Sequence, residues 1–167
     1  EYLSARAQRS HIDAEVLSDA RILILHSGGD SQRIPICSVC GKAFASLPVI
    51  GKNDELMTSL DFLLVTLTRI CANTPPGLLV ASGDVLLLLP ENDFFHPEFG
   101  VTGLAIPAGI EYGTKHGVYK LKENSSSVAS FIQKGTEAEL KQRNAVRPDG
   151  TVLLDSGIVF FCAETTK

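Results

Sequence analysis

The sequence predicts an α/β domain with a mixed sheet, and three observations carry that prediction. Two short aliphatic runs, Ile22-Leu23-Ile24-Leu25 and Gly77-Leu78-Leu79-Val80-Ala81, each end abruptly in a glycine turn. Between them Leu56, Leu60, Leu63, Leu64, Leu67 and Ile70 recur at helical spacing. The second half of the chain is rich in short strand-like runs. Strand, helix and strand in succession, followed by many strands, imply helices packed on a sheet.

Taken in order, residues 1–20 read as a leading helix, with Leu3, Ala7, Ile12 and Val16 loosely on one side. Residues 22–25 form the first buried strand, closed by Ser27-Gly28-Gly29-Asp30. Residues 27–48 then read as a long loop, and long loops in compact domains usually carry function or are disordered. Asn53 or Asp54 is the expected N-cap of the leucine-striped helix, which should stop before Pro75-Pro76. Residues 77–81 form the second strand, ending at Ser82-Gly83-Asp84. Further strands are expected at 101–106, 117–121, 128–133, 151–154 and 157–161. Ser125-Ser126-Ser127 reads as a hairpin or loop tip, and Thr136 with Glu139 as a capping box opening a helix over 136–145. No linker or repeat divides the chain, so residues 1–167 are expected to be one domain.

Composition narrows the function. Nineteen acidic residues against fifteen Lys and Arg give a net charge of -4, which argues against a nucleic-acid partner and against an anionic membrane surface. At 44% hydrophobic and 20% charged the chain is globular rather than disordered. Its 167 residues suffice to bury roughly 70% of the unfolded surface. No apolar run approaches the ~20 residues that span a bilayer, and no signal-peptide pattern opens the sequence. Four scattered cysteines, at 37, 40, 71 and 162, suit a reducing, cytoplasmic compartment. The chain opens at Glu1 rather than Met, so a fragment of a longer protein is expected.

The glycine turns are the centre of the functional reading. Glycine lets the backbone bend sharply and lets amide N–H groups approach an anion. Ligands of open α/β sheets bind beyond the carboxyl ends of the strands, where Gly28-Gly29 and Gly83-Asp84 both fall, so a nucleotide can lie across both loops. Two common phosphate motifs fail. The Walker pattern finds Ile36 and Ala43 where it needs Gly and Ser or Thr, and no G-x-G-x-x-G follows the first strand. Cys37-Ser38-Val39-Cys40-Gly41-Lys42-Ala43-Phe44 looks like the first knuckle of a zinc finger. The two histidines such a finger needs are missing at its spacing, because the next is His96. Two loop cysteines are the simpler reading.

The block 25–35, Leu25-His26-Ser27-Gly28-Gly29-Asp30-Ser31-Gln32-Arg33-Ile34-Pro35, followed by Gly41-Lys42-Ala43-Phe44 and Leu47-Pro48, resembles the fucose-1-phosphate guanylyltransferase (GDP-L-fucose pyrophosphorylase) family. That family is the nucleotidyltransferase part of bifunctional L-fucokinase/pyrophosphorylases. Ser82-Gly83-Asp84-Val85, Gly113-Thr114-Lys115-His116-Gly117-Val118, Gln133-Lys134 and Leu154-Asp155-Ser156-Gly157-Ile158 continue the resemblance in order over residues 21–162. It implies a Rossmann-like nucleotidyltransferase fold, with a mixed, mostly parallel sheet flanked by helices. It implies the reaction of GTP with L-fucose 1-phosphate to give GDP-L-fucose and pyrophosphate, by in-line attack of a sugar-phosphate oxygen on the α-phosphorus. Such a site must position two anions and neutralise developing charge.

On that resemblance Arg33 is expected to fork onto the β- and γ-phosphates, and Lys42 to steer the sugar phosphate or the α-phosphate, as the two catalytic cations. Ser27, Gly28, Gly29, Asp30, Ser31 and Gly83 would hold the nucleotide, with Asp30 either a metal ligand or a loop-fixing residue. Asp84 would bind Mg²⁺, the expected cofactor. Lys134, followed by Gly135 where Pro is more familiar, would grip the sugar phosphate, and Asp155, Ser156 and Gly157 the sugar hydroxyls. His116 would touch sugar or base, or pack in its loop. A fused sugar kinase region is an expected neighbour in the parent protein. The alternatives are a non-catalytic or truncated nucleotide-binding module of the same fold, a transferase for another sugar 1-phosphate, and a metal-binding interaction module built on Cys37 and Cys40.

Overall fold

The computed structural model describes residues 19–26, 37, 41–51, 53–88 and 100–165. In chain order its elements are β1 (Arg21–His26), a 3-10 turn (Lys42–Phe44), β2 (Ser46–Ile50), β3 (Leu56–Thr58), α1 (Ser59–Asn73), β4 (Gly77–Ser82), β5 (Val101–Gly109), α2 (Ile110–Gly113), β6 (Gly117–Leu121), β7 (Val128–Gln133), α3 (Glu137–Gln142) and β8 (Thr151–Cys162). The chain forms two compact units, Glu1–Thr102 with Gly157–Lys167, and Gly103–Ser156. The leading helix expected over 1–20 lies outside the described residues except for its last two positions.

In the first unit β1 runs parallel to β4, from Arg21 opposite Gly77 to His26 opposite Ser82. The other edge of β4 pairs antiparallel with the C-terminal half of β8, placing Leu79 opposite Phe160. That sheet is therefore mixed. The crossover from β1 to β4 contains α1, as a parallel connection requires. α1 begins later than Asn53 or Asp54. Asp54 instead takes φ 61 in the tight loop closed by the Gly51 N–H to Glu55 carbonyl bond, 2.8 Å. Leu56 pairs with Ile50 across a short antiparallel ladder that the sequence reading placed in loop and helix. The true cap is Thr58. Its Oγ1 accepts from the Asp61 N–H at 3.2 Å, and its own N–H donates to Asp61 Oδ2 at 2.8 Å. The Thr58 hydroxyl, which also lies 2.7 Å from Asp61 Oδ2, and then the Thr58 N–H hold the exposed Asp61 carboxyl below the usual carboxylate range. Leu63, Leu67 and Ile70 bury the inner face of α1, while Leu56 stays exposed.

The second unit is antiparallel. β6 pairs with β7, Gly117 opposite Gln133 and Tyr119 opposite Phe131, and with the N-terminal half of β8, Tyr119 opposite Leu153. The hairpin tip falls where the serine run predicts it, closed by the Lys122 N–H to Ser127 carbonyl bond. One sheet face carries Val118, Ile132 and Val152, packed with Leu140 of α3 and with Ala145 just beyond that helix. Thr136 caps α3 by accepting from the Glu139 N–H. The helix is shorter than expected because Asn144 turns left-handed at φ 51 and ends it.

Two expectations are corrected. The pairing is not mostly parallel: β1 with β4 is parallel, whereas β2 with β3, β4 with β8, β6 with β7 and β6 with β8 are antiparallel. The hairpin turn after β6 is too short for the crossover that parallel neighbours need. Nor do residues 151–154 and 157–161 form separate strands. β8 runs unbroken through Gly157, whose φ of 75 is a backbone conformation that a side-chain-bearing residue would resist. Among the described residues, no helix is long and apolar enough to cross a membrane.

Candidate functional site

The carboxyl ends of β1 and β4 are tied together by the Gly83 N–H, which donates to the His26 carbonyl at 2.9 Å. Just beyond, the Ser82 hydroxyl donates to Asp84 Oδ1 at 2.7 Å. Asp84 Oδ2 lies 3.9 Å from Lys42 Nζ. Lys42 reaches this position from the 3-10 turn, whose register is set by three contacts. Gly41 enters the turn at φ 81, a left-handed conformation that suits glycine. Its N–H donates to the carbonyl of buried Cys37 at 2.7 Å. Buried Ala43 anchors the turn, and the Ser59 N–H bonds the Ala45 carbonyl at 2.9 Å, fixing its far end to the start of α1.

Both partners of the lysine–aspartate pair are partly exposed, at 33% and 54% of their side chains, so the pair adds little to stability. Its importance is its place: one cation and one carboxylate held side by side where two parallel strands end. Gly157 backs this corner. A Cβ on Gly157 would sit 3.0 Å from Ser82 Cβ. The first unit thus gathers Lys42, Gly83 and Asp84, with Gly157 behind Ser82. Ser27, Gly28, Gly29, Asp30, Ser31 and Arg33 lie outside the described residues, as does Cys40.

No group of three His, Cys, Asp or Glu that could hold a metal ion occurs among the described residues. At this corner Asp84 supplies a carboxylate. That fits a magnesium ion carried mainly by phosphates and water, which needs only one or two protein carboxylates.

In the second unit the Lys134 N–H donates to the His116 carbonyl at 3.1 Å, so both residues occupy the corner where the β6–β7 ladder ends. Lys134 takes φ 50, an unfavourable conformation for a lysine. Asp155 Oδ1 accepts a 2.9 Å bond from the Tyr119 hydroxyl. The Ser156 hydroxyl, expected to face a sugar, donates to the Leu104 carbonyl at 2.7 Å, and the residue is only 6% exposed. In this structure it ties strands together.

Ser82 and Tyr119 were missed as functional candidates. In the sequence Ser82 carries no role of its own, and its place two residues before Asp84 is the available signal. Tyr119 carried none, because its partner is 36 residues away.

Open α/β sheets take ligands beyond the carboxyl ends of their strands, and it is there that the first unit presents Lys42, Gly83 and Asp84. Residues 14–167 match the fucose pyrophosphorylase domain, and the chain belongs to that family. It is 37% identical over 137 residues to human fucose-1-phosphate guanylyltransferase, covering 75% of this chain and 22% of that protein. The mouse protein of the same name is 33% identical over 138 residues, covering 75% and 23%. The Arabidopsis thaliana bifunctional fucokinase/GDP-fucose pyrophosphorylase is 28% identical over 156 residues, covering 86% and 15%. The chain therefore spans less than a quarter of the length of these relatives.

Proposed function

We propose that this chain is the nucleotide-binding part of a sugar-1-phosphate nucleotidyltransferase that makes GDP-L-fucose and pyrophosphate from GTP and L-fucose 1-phosphate. Family membership supports the reaction class, and the names of the three relatives support the substrates. The single structural observation behind the reading is the Lys42–Asp84 pair at the ends of the parallel strands.

The chemistry is in-line displacement at the α-phosphorus: a sugar-phosphate oxygen forms the new P–O bond, and pyrophosphate leaves with the electron pair. The protein's task is to position anions and balance their charge. Lys42 acts as a cation toward the α-phosphate or the attacking phosphate, and Arg33 toward the β- and γ-phosphates. Asp84 holds Mg²⁺, which when bound supplies charge neutralisation between phosphates. Ser82 keeps the Asp84 carboxylate oriented. Ser27, Gly28, Gly29, Asp30, Ser31 and Gly83 bind the nucleotide. In the second unit Lys134 and His116 take the sugar phosphate, and Asp155 takes sugar hydroxyls. The nucleotidyltransferase fold is Rossmann-like in this reading, the protein works in the cytoplasm, and a sugar kinase region accompanies it, as in the Arabidopsis relative's name.

Pyrophosphate release by the intact protein tests the proposal. Release should require GTP, L-fucose 1-phosphate and Mg²⁺ together. Release without the sugar phosphate, or none with all three, rejects it. A silent nucleotide-binding module would show a GTP-dependent rise in melting temperature without release.

A further inference from the structure

The face of the second unit opposite its core is unusually specific for a surface. Strand residues alternate faces, so with Val118, Ile132 and Val152 on the core side, Tyr119, Phe131, Leu153 and Asp155 share the other. Tyr119 and Phe131 are direct cross-strand neighbours, their ring centroids 5.2 Å apart and tilted by 54°. Two glycines make room for them. A Cβ on Gly103 would lie 2.9 Å from the Tyr119 hydroxyl and 3.1 Å from Cζ. A Cβ on Gly117 would collide with the Phe131 ring, which therefore covers Gly117 and reaches toward the His116–Lys134 corner. Four strands, β5 to β8, thus hold one phenol against one carboxylate.

We infer that Tyr119 is a positioning residue that aims the Asp155 carboxylate at a hydroxyl of a pyranose 1-phosphate lying along the Tyr119–Phe131 face. The inference rests on the sugar-phosphate reading above. The chemistry is that of carbohydrate recognition. Phe131, 44% exposed, offers an apolar wall to sugar C–H groups, while the carboxylate accepts a hydroxyl proton. The spacing fits as well. Continued by one residue, the β6–β8 pairing sets Asp155 opposite Gly117, and the β6–β7 pairing sets Gln133 opposite the same glycine, so Asp155 and the Lys134 corner stand two strand spacings apart, about 10 Å, a span that suits a sugar 1-phosphate. Burial first, then the bond to Asp155 and its charge, push the Tyr119 phenol well above its ordinary value, so it remains a donor throughout the neutral range.

The test uses Tyr119→Phe and Gly103→Ala in the intact protein. Each should weaken L-fucose 1-phosphate binding, measured by calorimetry and as KM, about tenfold, the worth of one hydrogen bond to a charged group. The KM for GTP should not change. With each monodeoxy analogue of the sugar phosphate in turn, one analogue should bind wild type and Tyr119→Phe equally, because it lacks the hydroxyl that Asp155 accepts. A Tyr119→Phe protein that binds L-fucose 1-phosphate as tightly as wild type overturns the role of Tyr119, even if pyrophosphate release stands. A uniform loss across all analogues assigns the bond to fold maintenance and equally overturns it. Failure of wild type to release pyrophosphate rejects the proposed function instead, while the binding comparison still decides the role of Tyr119.

Discussion

Replacing Gly157 with Ala probes the corner behind Asp84. Gly157 sits at φ 75 within β8. An L-residue in the left-handed region costs about 1–2 kcal/mol. The new Cβ would also stand 3.0 Å from Ser82 Cβ, a backbone-fixed carbon, so strand β4 or β8 must give way, at about 1 kcal/mol. Loss of glycine's freedom in the unfolded chain returns about 0.4–1 kcal/mol. The net is a destabilisation of about 2 kcal/mol. For a chain of this size that corresponds to a fall in Tm of about 4–8 °C. Calorimetry or circular dichroism reads it directly. Combining Gly157→Ala with Ser82→Gly removes the Cβ–Cβ contact, so the double-mutant cycle should show about 1 kcal/mol of favourable coupling. An unchanged Tm for Gly157→Ala, or zero coupling, would refute the reasoning. The affinity for MgGTP should drop in parallel, because Ser82 orients Asp84 through their 2.7 Å bond.

Lys134→Gly relieves a left-handed lysine and should raise stability by up to about 1.5 kcal/mol, the ~1–2 kcal/mol of strain less the ~0.5–1 kcal/mol of added backbone entropy, while raising the KM for the sugar phosphate. Lys122→Gly, at a position without positive φ, is the control and should only destabilise. Alkaline titration tests the phenol. The Tyr119 pKa is raised on folding, so its stabilisation is complete below the unfolded value near ~10 and declines as pH climbs above it. Melting temperature should fall across that range, and Tyr119→Phe should remove part of the fall.

The sequence announced strands well where aliphatic runs meet glycine turns. The ranges 117–121 and 128–133 are those observed, and the first two strands differ by a residue or two at their ends. It misled where local chemistry mimics something else. Leu56 continues the leucine repeat yet pairs with Ile50, so the helix start was placed too early. Asp155-Ser156-Gly157 has turn composition, but the Ser156 hydroxyl finds Leu104, 52 residues distant, and the strand continues. At the site, the charged types at strand ends were readable because Lys42, Gly83 and Asp84 lie beside strand or turn signals. Their mutual geometry was not, since a side-chain pair between distant segments leaves no local pattern. Tyr119 was hidden for the same reason: it reads as an ordinary strand aromatic until Gly103, Phe131 and Asp155 are placed around it.

The most direct measurement is single-turnover pyrophosphate release from GTP and L-fucose 1-phosphate by the intact protein and its Arg33→Ala and Lys42→Ala variants. If these cations balance charge in the transition state, each loss should slow the chemical step by about 10²-fold or more, with the fold preserved. Release at wild-type speed from Lys42→Ala would contradict a catalytic corner at the ends of β1 and β4.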